Sequence, residues 1–360
     1  MAKIVTPRYD RNSIKIKVVG VGNAGGNIIS RISDKIEGVD FIVFNTEDTA
    51  LKRAKANIKI LIGEKTTHGR GTGKNPDKGK FAANEDKEKI VDVLKNSEIV
   101  FLTAGLGGGT GTGSSPIIAK IAKDLGAIVI AIVTTPFNFE GEKLIGQAQE
   151  GLIELEKNID TLIHIPNERL SEILTNTTPM VDAFKKVDEI VCRTISSISD
   201  LINKPNVILD IDFADICAII ENAGRGMIGL GYGKGEGKVE KSARSAIEDP
   251  LLEKNEIMEA KNVLISITGC PELSIQEVED AMEIIQTRIS STSRVLGVTI
   301  DNKLQDEVKI TLLATGIGKI KSELKKEIHL PKEESELFIG GEEIIDIPPA
   351  LREKGRFKTR

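Results

Sequence analysis

Two patterns of apolar positions alternate along the first half of the chain. Apolar-rich runs recur at Ile14 to Val21, where Lys15 and Lys17 interrupt, and at Phe41 to Phe44, Ile99 to Leu102, Ala127 to Thr134 and Thr161 to Ile165. Each predicts a strand, and the unbroken run Ala127 to Thr134 predicts one covered on both faces. Between them, apolar residues repeat at helical spacing: from about Ile28, over Phe81 to Lys95 (a charged surface helix), over Ile117 to Leu125 and over Gln147 to Lys157. Strand, helix, strand in this order predicts an α/β protein with a Rossmann-like first domain over residues 14–178. Met180 to Leu201 then runs helically without Gly or Pro. At the rise of an α-helix it spans on the order of 30 Å, a central helix (179–204) able to join two domains. Strands at Asn262 to Thr268, Val295 to Ile300 and Glu307 to Ala314, with a helix over Ser274 to Ser290, predict a second, smaller α/β domain over 205–318. Ser274 and Glu277 form a capping-box pattern at the start of that helix. Residues 1–13 read as a polar arm and 319–342 as a charged linker. Residues 343–360 carry an apolar patch, Ile344 to Arg352, before a basic terminus, either a docking peptide or a frayed tail.

Composition narrows the function classes. The formal net charge is -5 over 360 residues, which argues against nucleic acid as the main partner. Cys192, Cys217 and Cys270 are widely spaced in apolar surroundings and read as buried thiols of a reducing compartment. His68, His164 and His329 form no motif, so no metal site is expected. No apolar run approaches the roughly 20 residues a bilayer requires, and the first residues hold no signal-peptide apolar region. The expectation is a soluble, cytoplasmic protein with no direct membrane insertion. Aromatics are only 3% and Trp is absent, so its cores must be aliphatic.

Candidate chemistry concentrates in glycine. Ala104 to Pro116 reads Ala-Gly-Leu-Gly-Gly-Gly-Thr-Gly-Thr-Gly-Ser-Ser-Pro, between a strand and a helix. Without side chains, backbone N–H groups can close around an anion, and the helix adds its positive end. Thr110 and Thr112 add hydroxyl donors, so a polyphosphate fits. A flexible linker is the plain alternative, and its placement between strand and helix speaks against it. The chain has no G-x-x-x-x-G-K-[ST] motif, hence no P-loop lysine. Gly20, Gly22 and Gly25 match G-x-G-x-x-G, with a strand before and a helix after. Asp40 stands where a dinucleotide fold carries its ribose acid, so a nicotinamide or flavin enzyme competes, but the second glycine loop is foreign to it. Asn45-Thr46-Glu47-Asp48 follows a strand at the sheet edge where ligands gather. Gly63 to Lys80 reads as a mobile loop that either reaches a terminal phosphate or is solvated surface. Glu140, at a strand's C-terminal end, suits a ribose hydroxyl. Phe184 and Asp188, four apart on one helix face, are either a ring and a carboxylate for a base or a core Phe beside a surface Asp. Asp210, Asp212 and Asp215 are three acids among aliphatics. They orient a water, cap the next helix, or do both.

The loop Gly107 to Gly113, Gly-Gly-Gly-Thr-Gly-Thr-Gly, is the tubulin-type signature, and the chain resembles the FtsZ family of tubulin-like cell-division GTPases. The first glycine loop, Thr134 to Gly141, Ile165-Pro166-Asn167 and Asp212-Phe213-Ala214-Asp215 fall in the family's order, so the resemblance runs from about Lys15 to Gly316 with a trace in the tail. It implies a GTP-binding domain, a central helix, a C-terminal domain and head-to-tail filaments of a cytokinetic ring at mid-cell. It implies that Asn23, Ala24, Gly25, Gly26 and Asn27 hold phosphates and base, with Asn27 near guanine. Thr72 and Gly73 would face the γ-phosphate, while Gly107, Gly108, Gly109, Thr110, Gly111 and Thr112 wrap the phosphates. Glu140 would meet the ribose, and Asn167, Phe184 and Asp188 would surround guanine. Asp212 and Asp215 would enter the next subunit's site as the catalytic acids. GTP and GDP are the implied ligands, with Mg2+ carried by the nucleotide. The peptide 344–352 is the implied dock for membrane-tethering division proteins. Two residues depart from the family pattern. Asp210 replaces Asn, and Leu144 replaces an Arg; the adjacent Lys143 is the GTP-binding residue expected in its place, although a point charge does not reproduce a guanidinium fork. They motivate an alternative, a tubulin-like filament with structural GTP serving cell shape or DNA partition.

Overall fold

The computed structural model describes residues 14–170, 177–203, 208–209, 211–252, 256–289, 293–302 and 304–318. All fall within the first of two compact units, Met1–Ile320. Asp210, the linker 319–342 and the peptide 344–352 lie outside the described residues.

The strands are β1 Ile16–Val21, β2 Val39–Asn45, β3 Ile58–Leu61, β4 Ile99–Gly105, β5 Ile128–Thr135, β6 Thr161–Pro166, β7 Gly224–Lys234, β8 Asn262–Gly269, β9 Ser293–Ile300 and β10 Glu307–Ile317. They form one sheet in the order β3-β2-β1-β4-β5-β6-β7-β10-β8-β9. Pairing is parallel from β3 through β7, antiparallel on both sides of β10, and parallel again between β8 and β9. The helices are α1 Gly22–Ile32, α2 Asp48–Arg53, α3 Glu64–Thr67, α4 Pro76–Glu85, α5 Lys87–Leu94, α6 Thr110–Asp124, α7 Glu142–Glu156, α8 Asn167–Leu170, α9 Met180–Asn203, α10 Phe213–Ile220, α11 Lys238–Ile247 and α12 Ile275–Gln286.

The continuous apolar runs serve two cores at once. Ile16, Val18, Val43, Phe101 and Ile132 face α1 and α9, while Val19, Val21, Phe44, Leu102 and Val133 face the layer of α4 to α7. Successive strand residues point to opposite faces, so a strand covered on both sides is apolar throughout. A third aliphatic core lies under α11 and α12, and the predicted capping box is present: Ser274 N–H donates to Glu277 Oε2 at 2.9 Å.

Several boundaries differ from the sequence reading, for one main reason: glycine next to a strand reads as loop but packs as helix. α1 begins at Gly22, not near Ile28, and α6 at Thr110, not Ile117. α7 starts at Glu142 rather than Gln147. The segment Phe81 to Lys95 is two helices broken at Asp86, whose Oδ2 accepts from Gly63 N–H at 2.7 Å. The supposed loop Gly63 to Lys80 holds α3 and the start of α4, and Glu85 fixes it by accepting from Lys65 N–H (2.9 Å) and Thr66 N–H (3.1 Å). The glycine-rich stretch from Gly224 hides β7. A Cβ at Gly229, Gly231 or Gly233 would overlap backbone carbonyls of α11, at Ala246, Ser242 and Lys238.

The seam between β6 and β7 is short, pairing only Thr161 to Ile163 with Gly224 to Gly226. The last carbonyls of α10 clamp it: Thr161 Oγ1 donates to Ile220 O at 2.6 Å, and Thr315 Oγ1 donates to Ile219 O at 2.7 Å.

Candidate nucleotide site

Strand order reverses between β1 and β4, which opens a crevice at the strands' C-terminal ends, where ligands of such sheets bind. Both glycine segments line it. Gly22 turns the chain from β1 into α1 at φ +73°. A Cβ at Gly25 would lie 2.6 Å from the Thr103 carbonyl oxygen, so α1 can approach β4 only because that residue is glycine. After β4, Leu106 N–H donates to Thr134 O at 2.8 Å, and Gly107 N–H donates to Thr112 Oγ1 at 2.8 Å. The turn ends at the N-terminus of α6. The two segments touch, since a Cβ at Gly22 would sit 3.3 Å from Gly111 N. Gly108 differs from its neighbours: a Cβ there would meet nothing within 4 Å. Its open side faces away from the protein.

A polar knot closes the glycine-lined end of the crevice. The buried Asn45 donates from Nδ2 to Asn23 Oδ1 at 2.8 Å and accepts on Oδ1 from the N–H groups of Thr46 (2.8 Å) and Glu47 (3.2 Å). Asn23 Nδ2 in turn donates to Glu47 Oε2 at 3.0 Å. The hydroxyls of Thr46 and Thr110 are 2.7 Å apart, and Gly71 N–H donates to Thr46 O at 3.0 Å. Thr72 is buried against Gly109, while Gly73 is exposed. Gly25, Gly26 and Thr112 are buried, so their backbone and packing matter more than exposed side-chain donors. Ala24 packs beside Gly105.

The other end of the crevice is aromatic. Phe184 of α9 meets Phe137 edge-on at 5.4 Å, and Phe137 stacks on Phe139 at 5.1 Å. Asn167, at the start of α8, is buried, and its Oδ1 has no hydrogen-bond partner among the described residues. Asp188 binds Arg31: Nε donates to Oδ2 at 3.0 Å. Burial pushes the Asp188 carboxyl upward, and Arg31 opposes that shift. Asn27 is exposed one turn beyond Asn23. Glu140 Oε1 accepts from Phe137 N–H at 3.0 Å, and Lys143 is exposed beside it. His164 lies beneath, with Nε2 2.9 Å from Thr135 Oγ1. Burial first, then Arg225 and Arg169, lowers its pKa to about 3.

Asp212 and Asp215 are not brought to this crevice within the chain. Asp212 occupies the N-cap position of α10, where its carbonyl accepts from Asp215 N–H at 3.0 Å and its side chain makes no capping hydrogen bond. They follow the far end of α9, whose 24 residues extend about 36 Å from the aromatic end. Among the described residues no group of His, Cys, Asp and Glu is placed to hold a metal on its own, and no helix is long and apolar enough to cross a membrane.

Four residues to which the sequence assigned no contact of their own belong to the crevice's framework: Asn45, Thr46, Glu47 and Arg31. The first three stand at the C-terminal end of a predicted strand, where ligands gather. Arg31 stands four residues after Asn27 on the same helix face, a spacing that was available in the sequence.

Two glycine turns at a topological switch point, a helix N-terminus and no P-loop lysine define an α/β nucleotide-binding protein of the non-Walker class. Comparison with known proteins places it further. Residues 15–175 match the model of the Tubulin/FtsZ family, GTPase domain, and residues 224–318 match the FtsZ family, C-terminal domain. The chain is similar to an empty FtsZ dimer from M. jannaschii, with 41% identity over 84% of this chain and 88% of that one, at a TM-score of 0.78. Its fold is also similar to a GTPγS-bound protofilament of CetZ2 from Haloferax volcanii, with 20% identity over 85% and 94% of the chains and a TM-score of 0.73. GDP-bound CetZ1 from the same organism gives 21% identity over 85% and 95%, and a TM-score of 0.72. The chain belongs to the tubulin/FtsZ family and is a GTPase.

Proposed function

We propose that this chain polymerises head to tail with GTP and builds a cytokinetic ring, hydrolysing GTP at the junction between subunits. The observation that carries the reading is the separation of two half-sites. The glycine turns lie at one edge of the sheet, and Asp212 and Asp215 lie beyond the far end of α9. A second copy stacked on the first brings its acids to the phosphates. Backbone N–H groups of Gly108 to Thr112 and of the first turn of α1 hold the phosphate oxygens, with Gly108 giving the closest approach, while Gly107 shapes the turn through its bond to Thr112. Thr72 and Gly73 close over the γ-phosphate, which Mg2+ accompanies as part of the substrate. Glu140 and Lys143 flank the ribose. Phe184 stacks on guanine, and Asn27, Asn167 and Asp188 read its edge. Catalysis is then electrostatic holding plus placement of water by the incoming carboxylates. The peptide 344–352 is the dock for a membrane tether, which sets the ring at mid-cell.

The test is GTP turnover per subunit against protein concentration, with light scattering on the same samples. Turnover and scattering should rise together above a threshold. Asp212→Asn and Asp215→Asn should bind GTP normally and lose turnover; lost binding would overturn the division of roles. Leu144, where an arginine is expected, favours a second reading, in which GTP is a structural ligand of a filament for cell shape or DNA partition. Scattering that rises without turnover would select it.

A further inference from the structure

α1 and α9 lie side by side with polar positions in step. Asn23, Asn27 and Arg31 are four apart along α1, and Phe184, Asp188 and Cys192 are four apart along α9. Residues at that spacing share one helix face. Two contacts join the helices at their crossing: Arg31 Nε donates to Asp188 Oδ2 at 3.0 Å, and the Cys192 thiol reaches the Ile28 carbonyl at 3.8 Å. The Asp188 side chain is only 16% exposed, so its charge is largely removed from water. The charged and titratable groups acting on it are Arg31 on α1 and Glu189 and Cys192 on its own helix, and Lys35, just past α1, acts on Cys192. Arg31 alone among the described residues forms an ion pair with it.

The geometry divides the carboxylate's two oxygens. Oδ2 is taken by Arg31, and Oδ1 has no hydrogen bond among the described residues. Asn167 Oδ1 is a buried acceptor without a hydrogen-bond partner among the described residues. A purine edge that offers only donors, a ring N–H and an exocyclic amine, satisfies both, whereas an edge with an acceptor does not. An isolated carboxylate in such a place would tend to take up a proton and present an O–H in place of a lone pair.

We propose that Arg31 is a positioning residue for base selection: it holds Asp188 as an anion in one orientation, so that Oδ1 accepts from the N–H and amine edge of guanine. The proposal rests on the reading of Asp188 as a base-contacting group. A hydrogen bond to a charged group is worth enough to give roughly tenfold discrimination or more. Hypoxanthine lacks the exocyclic amine and makes one bond fewer.

The experiment measures dissociation constants of GTP and ITP for the full chain at about pH 8 and pH 6, with thermal melting as a folding control. The unchanged protein should prefer GTP by about tenfold or more, with little change between the two pH values. Arg31→Gln should lose most of that preference, and its GTP affinity should fall further at the lower pH as Asp188 takes up a proton. Arg31→Lys keeps the charge without the planar fork; it should keep the flat pH profile and an intermediate preference. Should Arg31→Gln fail to fold, Arg31→Lys decides, and an unchanged GTP-to-ITP ratio in it overturns the role. A wild-type ratio and a flat profile in folded Arg31→Gln also overturn it. Asp188→Asn separates the two claims: if the preference survives there, the base-contacting reading of Asp188 fails as well.

Discussion

Two glycines five residues apart should respond to alanine in opposite ways. Gly113 lies where α4 crosses α6. A Cβ there would overlap the Pro76 carbonyl oxygen and stand 2.7 Å from Lys80 N. Both neighbours are backbone, so the helices must separate, and overpacking of this kind costs about 1–3 kcal/mol. At roughly 2–4 °C per kcal/mol for a chain of this size class, Gly113→Ala should melt several degrees lower. Gly108 is outside the left-handed region and would meet nothing within 4 Å. Gly108→Ala should therefore melt within about 0.5 kcal/mol of the unchanged protein. Its new methyl, however, stands on the open side of the turn. Losing one hydrogen bond to a charged oxygen costs about 1.5–3 kcal/mol, or roughly 10- to 150-fold in nucleotide affinity. The assay pairs a nucleotide-free thermal melt with titration of a fluorescent GTP analogue. If Gly108→Ala binds with unchanged affinity, the open side of this turn is not where phosphate sits.

Two further predictions test the surroundings. His164 has an ordinary pKa of 6.5 and is lowered to about 3 in the fold. Its contribution is fully present above pH 6.5 and drains away as pH falls toward 3, at about 1.4 kcal/mol per unit. His164→Gln should flatten this acid limb in urea denaturation, and a histidine NMR titration with a midpoint near 6.5 would refute the burial argument. Leu144 is half-buried in the first turn of α7, its carbonyl beside Gly107. Leu144→Arg should tighten GTP about three- to tenfold at low salt, with the gain lost at high salt; a salt-independent gain would point to packing instead.

What was legible in the sequence followed from period and burial. The parallel strands β1, β2, β4, β5 and β6 announced themselves through their apolar runs, as Val18 and Val19 of β1 pack against different cores, whereas the short β3 was not read. Glycine was the source of most errors. Its local signal is a turn, yet Gly25 and Gly113 are there to let backbones approach, and Gly229, Gly231 and Gly233 belong to a strand pressed against α11. In the crevice, the two glycine turns were readable from motif and from their place between strand and helix. The stretch at Asn45 was readable as a sheet edge where ligands gather, but the bond from Asn45 to Asn23 was not, because only the fold brings those two residues together. Arg31 looked like one more charged residue at a helix end. Its meaning depends on α9, more than 150 positions away in the chain.

The short seam between β6 and β7 has a mechanical consequence. The sheet is laced by ten paired residues between β7 and β10 and seven between β4 and β5, but by three at the seam. Stiffness in shear and torsion follows the number of such bonds, so twist applied to the molecule collects along this line. The end of α10 is tied by one hydroxyl from each bank, Thr161 and Thr315. Rotation about the seam therefore turns α10 as a lever, and Asp212 and Asp215 ride on its free end. In the head-to-tail stack proposed above, load would be converted, at each joint, into displacement of these acids relative to the neighbouring copy.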